Sequence, residues 1–560
     1  MIALCLCCSC SLAKEDLMVW QEDSMTKVFR YPLATSGPAM APSTSAPAST
    51  SPAERQPITL HAARNEVVSA QFVVRAARDV DEFKCQTEPL AGPGEAKMAA
   101  PRTRYVGYVP VKKNSDDSAI RPAPADFPDP LLESPPPLKA GALQPVWVTI
   151  AVPKDAAPGD YAGKVSFTAG TASAELPIKL TVYSAVLGDE RTLRVTNWTC
   201  FQPTMDKLYG FPCNLAEERY WELLAAFAKN MAQHRQNAIL TPVRDLVKVT
   251  AGADGKMVFD FARLDRWVTM FADAGVLAPP RRGIIEGGHL ADGKYDQKDH
   301  TSLFWTVKDG KAVQERISSW SDEHKQYLKA YLPALQSHLE AKGWLAMYRQ
   351  HVFDEPTAAN REQYRELAGI AREAAPKLKI MEANHFSAFV GLIDAWVPQT
   401  DHMARKMDFY DERRKAGDEL WFYTCLNPRK PHLNRFIDYP LLKTRLLHWA
   451  NFKYGVGGYL HWGWCTWPAD PFRNVELDNL PPGDCHIVYP KPGGVLDSIR
   501  HETMLEGIQD YELLAALAAR DGDVAKAICD SVLQDWTHYT LDVDAFRAAR
   551  KKLLEALSSQ

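Results

Sequence analysis

The sequence predicts a multidomain chain: an N-terminal antiparallel β-sandwich, then a (β/α)₈ barrel, then a C-terminal helical appendage. Three observations carry this. At 560 residues the chain is too long for one hydrophobic core. Its first third reads as short β-branched runs broken by Pro and Gly. From Arg191 onward, apolar strand-like runs alternate with long helical patterns.

The elements follow in order. Residues 1–13 open with "MIALCLCCSC", which carries Cys5, Cys7, Cys8 and Cys10, and continue through "SLA" to the charged "KED". This is the outline of a short export segment without its basic start. It predicts a secreted or periplasmic protein, with lipid anchoring through a cysteine as a variant and a cytoplasmic tail as the alternative. Residues 14–190 are expected to form the sandwich, from runs such as "EVVSAQFVVRAA", "PVWVTIAVP" and "AELPIKLTVYSAVL". Ala34–Glu54 interrupts them with Ala, Ser, Thr and Pro almost alone, a composition that cannot bury enough apolar surface to order itself. Residues 191–500 supply eight strand runs: 193–198, 237–240, 282–289, 347–356, 379–385, 394–399, 420–425 and 458–464. Eight strands with intervening helices over roughly 300 residues is the size of a (β/α)₈ barrel. Residues 501–560 read as appended helices.

Composition narrows the function. With 46% hydrophobic and 24% charged residues and a net charge of −4, the chain is globular. No basic stripe points to nucleic acid, and no apolar run has spanning length. The cysteines show no CxxC spacing, so neither a zinc site nor a disulfide framework is legible, and no cofactor or metal is expected. The 15 Trp and 20 Tyr suit either sugar stacking or a large barrel core.

In a barrel, chemistry belongs at the C-terminal strand ends. Reading those ends gives Asn197, Trp198, Asn237, Glu286, His289, Asp354, Glu355, Asn384, His385, Trp421, Tyr423, Trp462 and Trp464. Carboxylate, amide, imidazole and indole groups together are what a sugar needs. Trp462 and Trp464 are expected on one side of the eighth strand by alternation. His351, inside the fourth, reads as a core histidine, and Arg500, Glu502 and Asp510 as ion-pairing residues of one helix.

"HVFDEP" (351–356) is the pivotal stretch. Pro356 disfavours the helical region for Glu355 and should hold it extended, so that a bend lets Asp354 and Glu355 converge. Two like charges so close should separate their pKa values, leaving one acid protonated and one ionised. A conventional retaining glycosidase needs a second carboxylate across the ring. The seventh strand offers Asp418 and Glu419 only at its start, on the wrong side of the barrel. A substrate with a 2-acetamido group can instead attack its own anomeric carbon. Asp354 would then stabilise the acetamido N–H, Glu355 would serve as acid and base, and Tyr423 would bond the acetamido carbonyl.

The stretches "VFDEP" (352–356), "VWQEDSMTKVF" (19–29), "ARNE" (63–66), "PVWVTIAVPKDAAPGDYAG" (145–163), "GYLHWGW" (458–464) and "SIRHETMLEGIQDYELL" (498–514) resemble glycoside hydrolase family 123, the β-N-acetylgalactosaminidases. The resemblance implies Asp354 as the acetamido-polarising residue, Glu355 as acid/base, retention of configuration and no metal. The expected partner is a glycan or glycoconjugate with a terminal 2-acetamido sugar. Two rivals stand beside this reading: a glycosidase that recruits Glu286 or Asp394 as its second carboxylate, and a silent carbohydrate-binding protein.

Overall fold

The computed structural model describes residues 16–31, 56–199, 204–277, 283–292 and 301–559. The export segment and the Ala34–Glu54 insertion lie outside the described residues.

Two sheets form the N-terminal sandwich. The first orders Leu17–Glu22, Val67–Ala76, Leu143–Ala151, Arg102–Val111 and Ala125–Leu132, all antiparallel. The second orders Thr59–Arg64, Ala172–Val186, Gly159–Ala169, Leu90–Ala91 and Lys97–Met98, with Phe83–Thr87 also paired to Gly159–Ala169. Thr59–Arg64 runs parallel to its neighbour, an exception within the antiparallel pattern. A tight turn through Asn65, in the left-handed region at φ 66°, hands the chain directly to the other sheet. Alternating residues fill the interlayer: Val68, Ala70, Phe72 and Val74 from one sheet, Ile178, Leu180 and Val182 from the other. The first sheet's other face is buried too, with Trp147 packed into the barrel's helical layer.

Eight parallel strands follow: Arg194–Asn197, Ala238–Thr241, Ile284–Gly287, Tyr348–Gln350, Lys379–Ala383, Ala395–Val397, Glu419–Tyr423 and Gly458–His461. They pair in barrel order, the eighth beside the first. The Asn237 amide donates to Val195 O across the first–second seam (3.2 Å). The interior carries Ala238, Ile284, Met381, Ala383, Ala395, Val397, Tyr423 and Leu460. Each strand overlaps its predicted run, with the second and seventh each reaching one residue outside theirs, but the fourth is short: the chain leaves the sheet at His351, so Asp354 and Glu355 stand on the loop beyond it.

Two hairpins were not legible in the sequence, Lys248–Ala251 with Met257–Asp260 and Thr301–Lys308 with Lys311–Ser318. Helix Ile499–Ala518 follows the eighth strand and a long connection. It packs on helix Leu441–Lys453, and Gly507 permits the approach: a Cβ there would stand 2.6 Å from Arg445 O. Helices Gly522–Asp530 and Val543–Ser558 complete the C-terminus.

Candidate active site

The acidic pair is fixed from both sides. Upstream, Glu382 of the fifth strand accepts the Val352 amide (2.9 Å). Downstream, Thr357 and Asn360 form a capping box that begins the next helical turn, with the Thr357 amide donating to Asn360 Oδ1 (2.8 Å). Between these anchors Glu355 adopts φ 44°. The expected extended backbone is therefore corrected to a left-handed one. Pro356 disfavours the right-handed region, and the turn, clamped at both ends, takes the left-handed alternative at about 1 kcal/mol. A non-glycine residue held this way is over-determined by its surroundings.

That conformation lets Glu355 meet the seventh strand, where Tyr423 Oη donates to it. Tyr423 Oη also lies 3.0 Å from His385 Nε2, and His385 stacks on His402 with ring centroids 4.0 Å apart. Burial, then His402, push the imidazole of His385 down to about 3, so it is neutral and free to donate to Tyr423 while Tyr423 donates to Glu355. Asp354 opens onto solvent at its surface yet stands in a deep recess of the protein. That recess first, then Glu355 and Glu382, push it up to about 7, with His351 opposing. Burial also raises Glu355, and the Tyr423 hydrogen bond opposes the rise. Two like charges so close resist ionising together, so the pair shares a proton, and the Tyr423 hydrogen bond favours the ionised form of Glu355.

Trp198, Glu286 and His289 lie deeper. Trp198 Nε1 donates to Glu286 Oε2 (3.0 Å), and its ring meets His289 and His351 edge-on. Glu286 is wholly buried beneath Trp198, its Oε2 taken by Trp198 and His351. Trp462 packs against the interior cluster that includes Trp198 and Tyr423 and is held by Asp484 Oδ2 (3.1 Å).

Several predicted ligands are occupied elsewhere. Asn237 begins its strand rather than ending it, and ties the first two strands through the Val195 amide and Leu193 O. Asn197 is buried, accepting from Arg435 (2.6 Å) and donating to Gln236. Asn384 caps its own turn through both backbone groups of Phe386. Trp421 packs on Gly458 and lines a cavity of about 330 Å³ at the opposite mouth, with Arg194, Arg349 and Glu419. Trp464 does not share a side with Trp462: the strand ends at His461, alternation lapses, and Trp464 packs on Phe227. The rival acid Asp394 accepts from Arg372 and the Ile380 amide at the base of its strand.

Sequence reasoning missed Glu382 and Asp484. A lone charge within the apolar strand "KIMEA" was a legible signal for Glu382, since Glu is rarely buried unless paired. Nothing local marks Asp484, which arrives on the long connection after the eighth strand. Burial pushes it up to about 7, and it is wholly enclosed.

The family model for the glycoside hydrolase 123 catalytic domain matches residues 208–517, more than half the chain. The chain belongs to glycoside hydrolase family 123. The N-terminal domain model of the same family matches residues 44–169. A family 123 glycoside hydrolase from Clostridium perfringens, studied for glycolipid glycan hydrolysis, superposes with a TM-score of 0.73 at 16% identity, over 97% of each chain. That likeness shows the shared fold. A β-glucuronidase from Parabacteroides merdae (TM-score 0.30, 10% identity, 80% of this chain and 50% of the other) and a Thermobacillus composti xylanase (0.28, 12%, 52% and 99%) are too distant to carry an argument. No curated protein matches the chain. As a family 123 member it is a glycoside hydrolase, and its substrate is a glycan.

Proposed function

We propose that this hydrolase removes terminal β-linked N-acetylhexosamine, N-acetylgalactosamine by family resemblance, with retention of configuration and with the substrate's acetamido group as nucleophile. One observation carries the reading. Asp354 and Glu355 stand side by side at the mouth, while the acids that would serve as a conventional partner are engaged: Glu286 beneath Trp198, Asp394 at the strand base and Asp484 behind Trp462.

The acetamido oxygen attacks the anomeric carbon as the bond to the leaving oxygen breaks, and Glu355 delivers the proton to that oxygen. Asp354 accepts the acetamido N–H and stabilises the oxazolinium charge. This contact draws the shared proton away from Asp354 and toward Glu355. Water then opens the ring, giving its proton back to Glu355. Two inversions restore the original configuration. Tyr423 is placed to turn its hydroxyl from Glu355 to the acetamido carbonyl. Trp462 offers an apolar face to the sugar.

A panel of 4-nitrophenyl β-glycosides tests this. Turnover of 2-acetamido substrates, none of 2-hydroxy ones, and inhibition by a thiazoline mimic of the oxazoline are expected. Glu355→Gln should cost roughly 10²–10⁴-fold in kcat with binding retained. Equal turnover of 2-hydroxy glycosides would remove self-attack and favour the conventional rival. Binding without turnover in the parent would favour the silent binder.

A further inference from the structure

The barrel interior also holds an imidazole flanked by two carboxylates, which the steps above do not use. His351 comes three residues before Asp354 and is fully buried. It sets Nε2 3.3 Å from Glu286 Oε2 on the third strand and Nδ1 3.4 Å from Glu382 Oε1 on the fifth. Both acids are enclosed to the same degree. Only the imidazolium has two ring donors. A neutral ring would turn a lone pair toward one carboxylate or force that acid to keep its proton.

The neighbours fit a charged His351. Trp198 Nε1 donates to Glu286, and the Val352 amide donates to Glu382. Tyr364, from the helix after the fourth strand, faces Glu382. His289, its ring centroid 5.1 Å from that of His351, is held neutral by burial, then by His351 and Arg244. Burial disfavours charge on His351, but Glu286 and Glu382 outweigh it and push the group up to about 9. The rival occupant is a metal ion, since His289, His351 and Glu382 bring one ligand atom each within 4.8 Å of one another; it would take the lone pair that the imidazolium lacks.

We propose that His351 is a positioning residue for this hydrolysis: clamped as a cation between Glu286 and Glu382, it holds the strand exit and favours the ionised form of Asp354. The proposal rests on the assignment of Asp354 and Glu355 above. Glu382 is the shared element, since one carboxylate receives both the imidazolium and the amide that leads into the acidic pair.

The test is kcat against pH, which reports the substrate complex, on a 2-acetamido aryl glycoside, for the parent and His351→Asn. Losing the cation should move the acidic limb upward by roughly one pH unit, with activity partly recovered at higher pH. A uniform loss that leaves the limb in place overturns the proposal. Histidine ¹⁵N resonances of the parent and Glu286→Gln give a second measurement that does not need His351→Asn to fold. The parent should show a ring protonated on both nitrogens at pH 8 that disappears in Glu286→Gln. A neutral His351 in the parent, or one zinc per chain by elemental analysis, overturns it. Failure of the oxazoline reading would instead appear in the parent as turnover of 2-hydroxy substrates, so the two failures are separable.

Discussion

Tyr423 donates to Glu355 and receives from His385, so one phenol links the acid/base to the fifth strand. Its hydrogen bond favours the ionised form of Glu355. In Tyr423→Phe that form loses its partner and the Glu355 pKa rises. In the free enzyme Glu355 is the acid that ionises first, so the acidic limb of kcat/KM should move to higher pH, and kcat should fall by about 10²-fold through the lost carbonyl donor. A pH–rate series on the purified variant reads both. An unchanged limb would mean that Tyr423 only packs. At this scale the sequence was informative about residue types and weaker about their duties. Asp354, Glu355, His385 and Tyr423 do meet, because strand-end position is legible from runs and turn residues. Asn197, Asn237 and Asn384 do not face the cleft, because an amide is as useful to a strand seam or a turn as to a sugar.

Helix Ile499–Ala518 joins barrel and appendage through one carboxylate. Asp510 accepts from Arg445 Nε (2.7 Å), Trp449 Nε1 (3.0 Å) and Arg550 Nε (2.9 Å). All four side chains are buried. These partners hold Asp510 below the ordinary carboxylate range despite burial. Asp510→Asn keeps the shape but strips the charge, leaving two buried guanidiniums short of a partner, which should cost about 3–5 kcal/mol. Urea denaturation should record the loss, with kcat of the folded fraction near the parent's. The helix itself was legible as a helical pattern, and so was its role in ion pairs. Which residues it pairs with was not, since Arg445 and Arg550 lie 65 and 40 positions away in sequence.

The sandwich and barrel are sealed by charges from both sides. Arg104 bonds Asp497 (2.6 Å) and Glu502 (2.8 Å), Arg500 forks onto Asp129 (2.8 Å to each oxygen), and Arg550 reaches Glu66. Arg104 and His234 hold Glu502 down to about 2 against burial, while the unfolded value is about 4.3. A depressed folded pKa contributes stability that is present above the unfolded value and lost as pH falls through the folded one. Acid unfolding should therefore begin below about pH 4, with near-UV signals of both domains lost together. Arg104→Met should flatten that dependence between pH 4 and 2. Separate transitions for the two domains would mean that the interface contributes little.

Fold class and the acidic pair were determined by local sequence. Hydrophobic period distinguishes strand from helix wherever the chain is half-buried, eight alternations imply a barrel, and "DEP" at a strand exit marks its rim. The tertiary structure alone decided that Glu355 is left-handed, that Trp421 and Trp464 turn from the mouth, and that His351 lies between Glu286 and Glu382. Each of these depends on contacts between residues far apart in the chain, whose side-chain direction is set by the space that distant segments leave and not by their own neighbours.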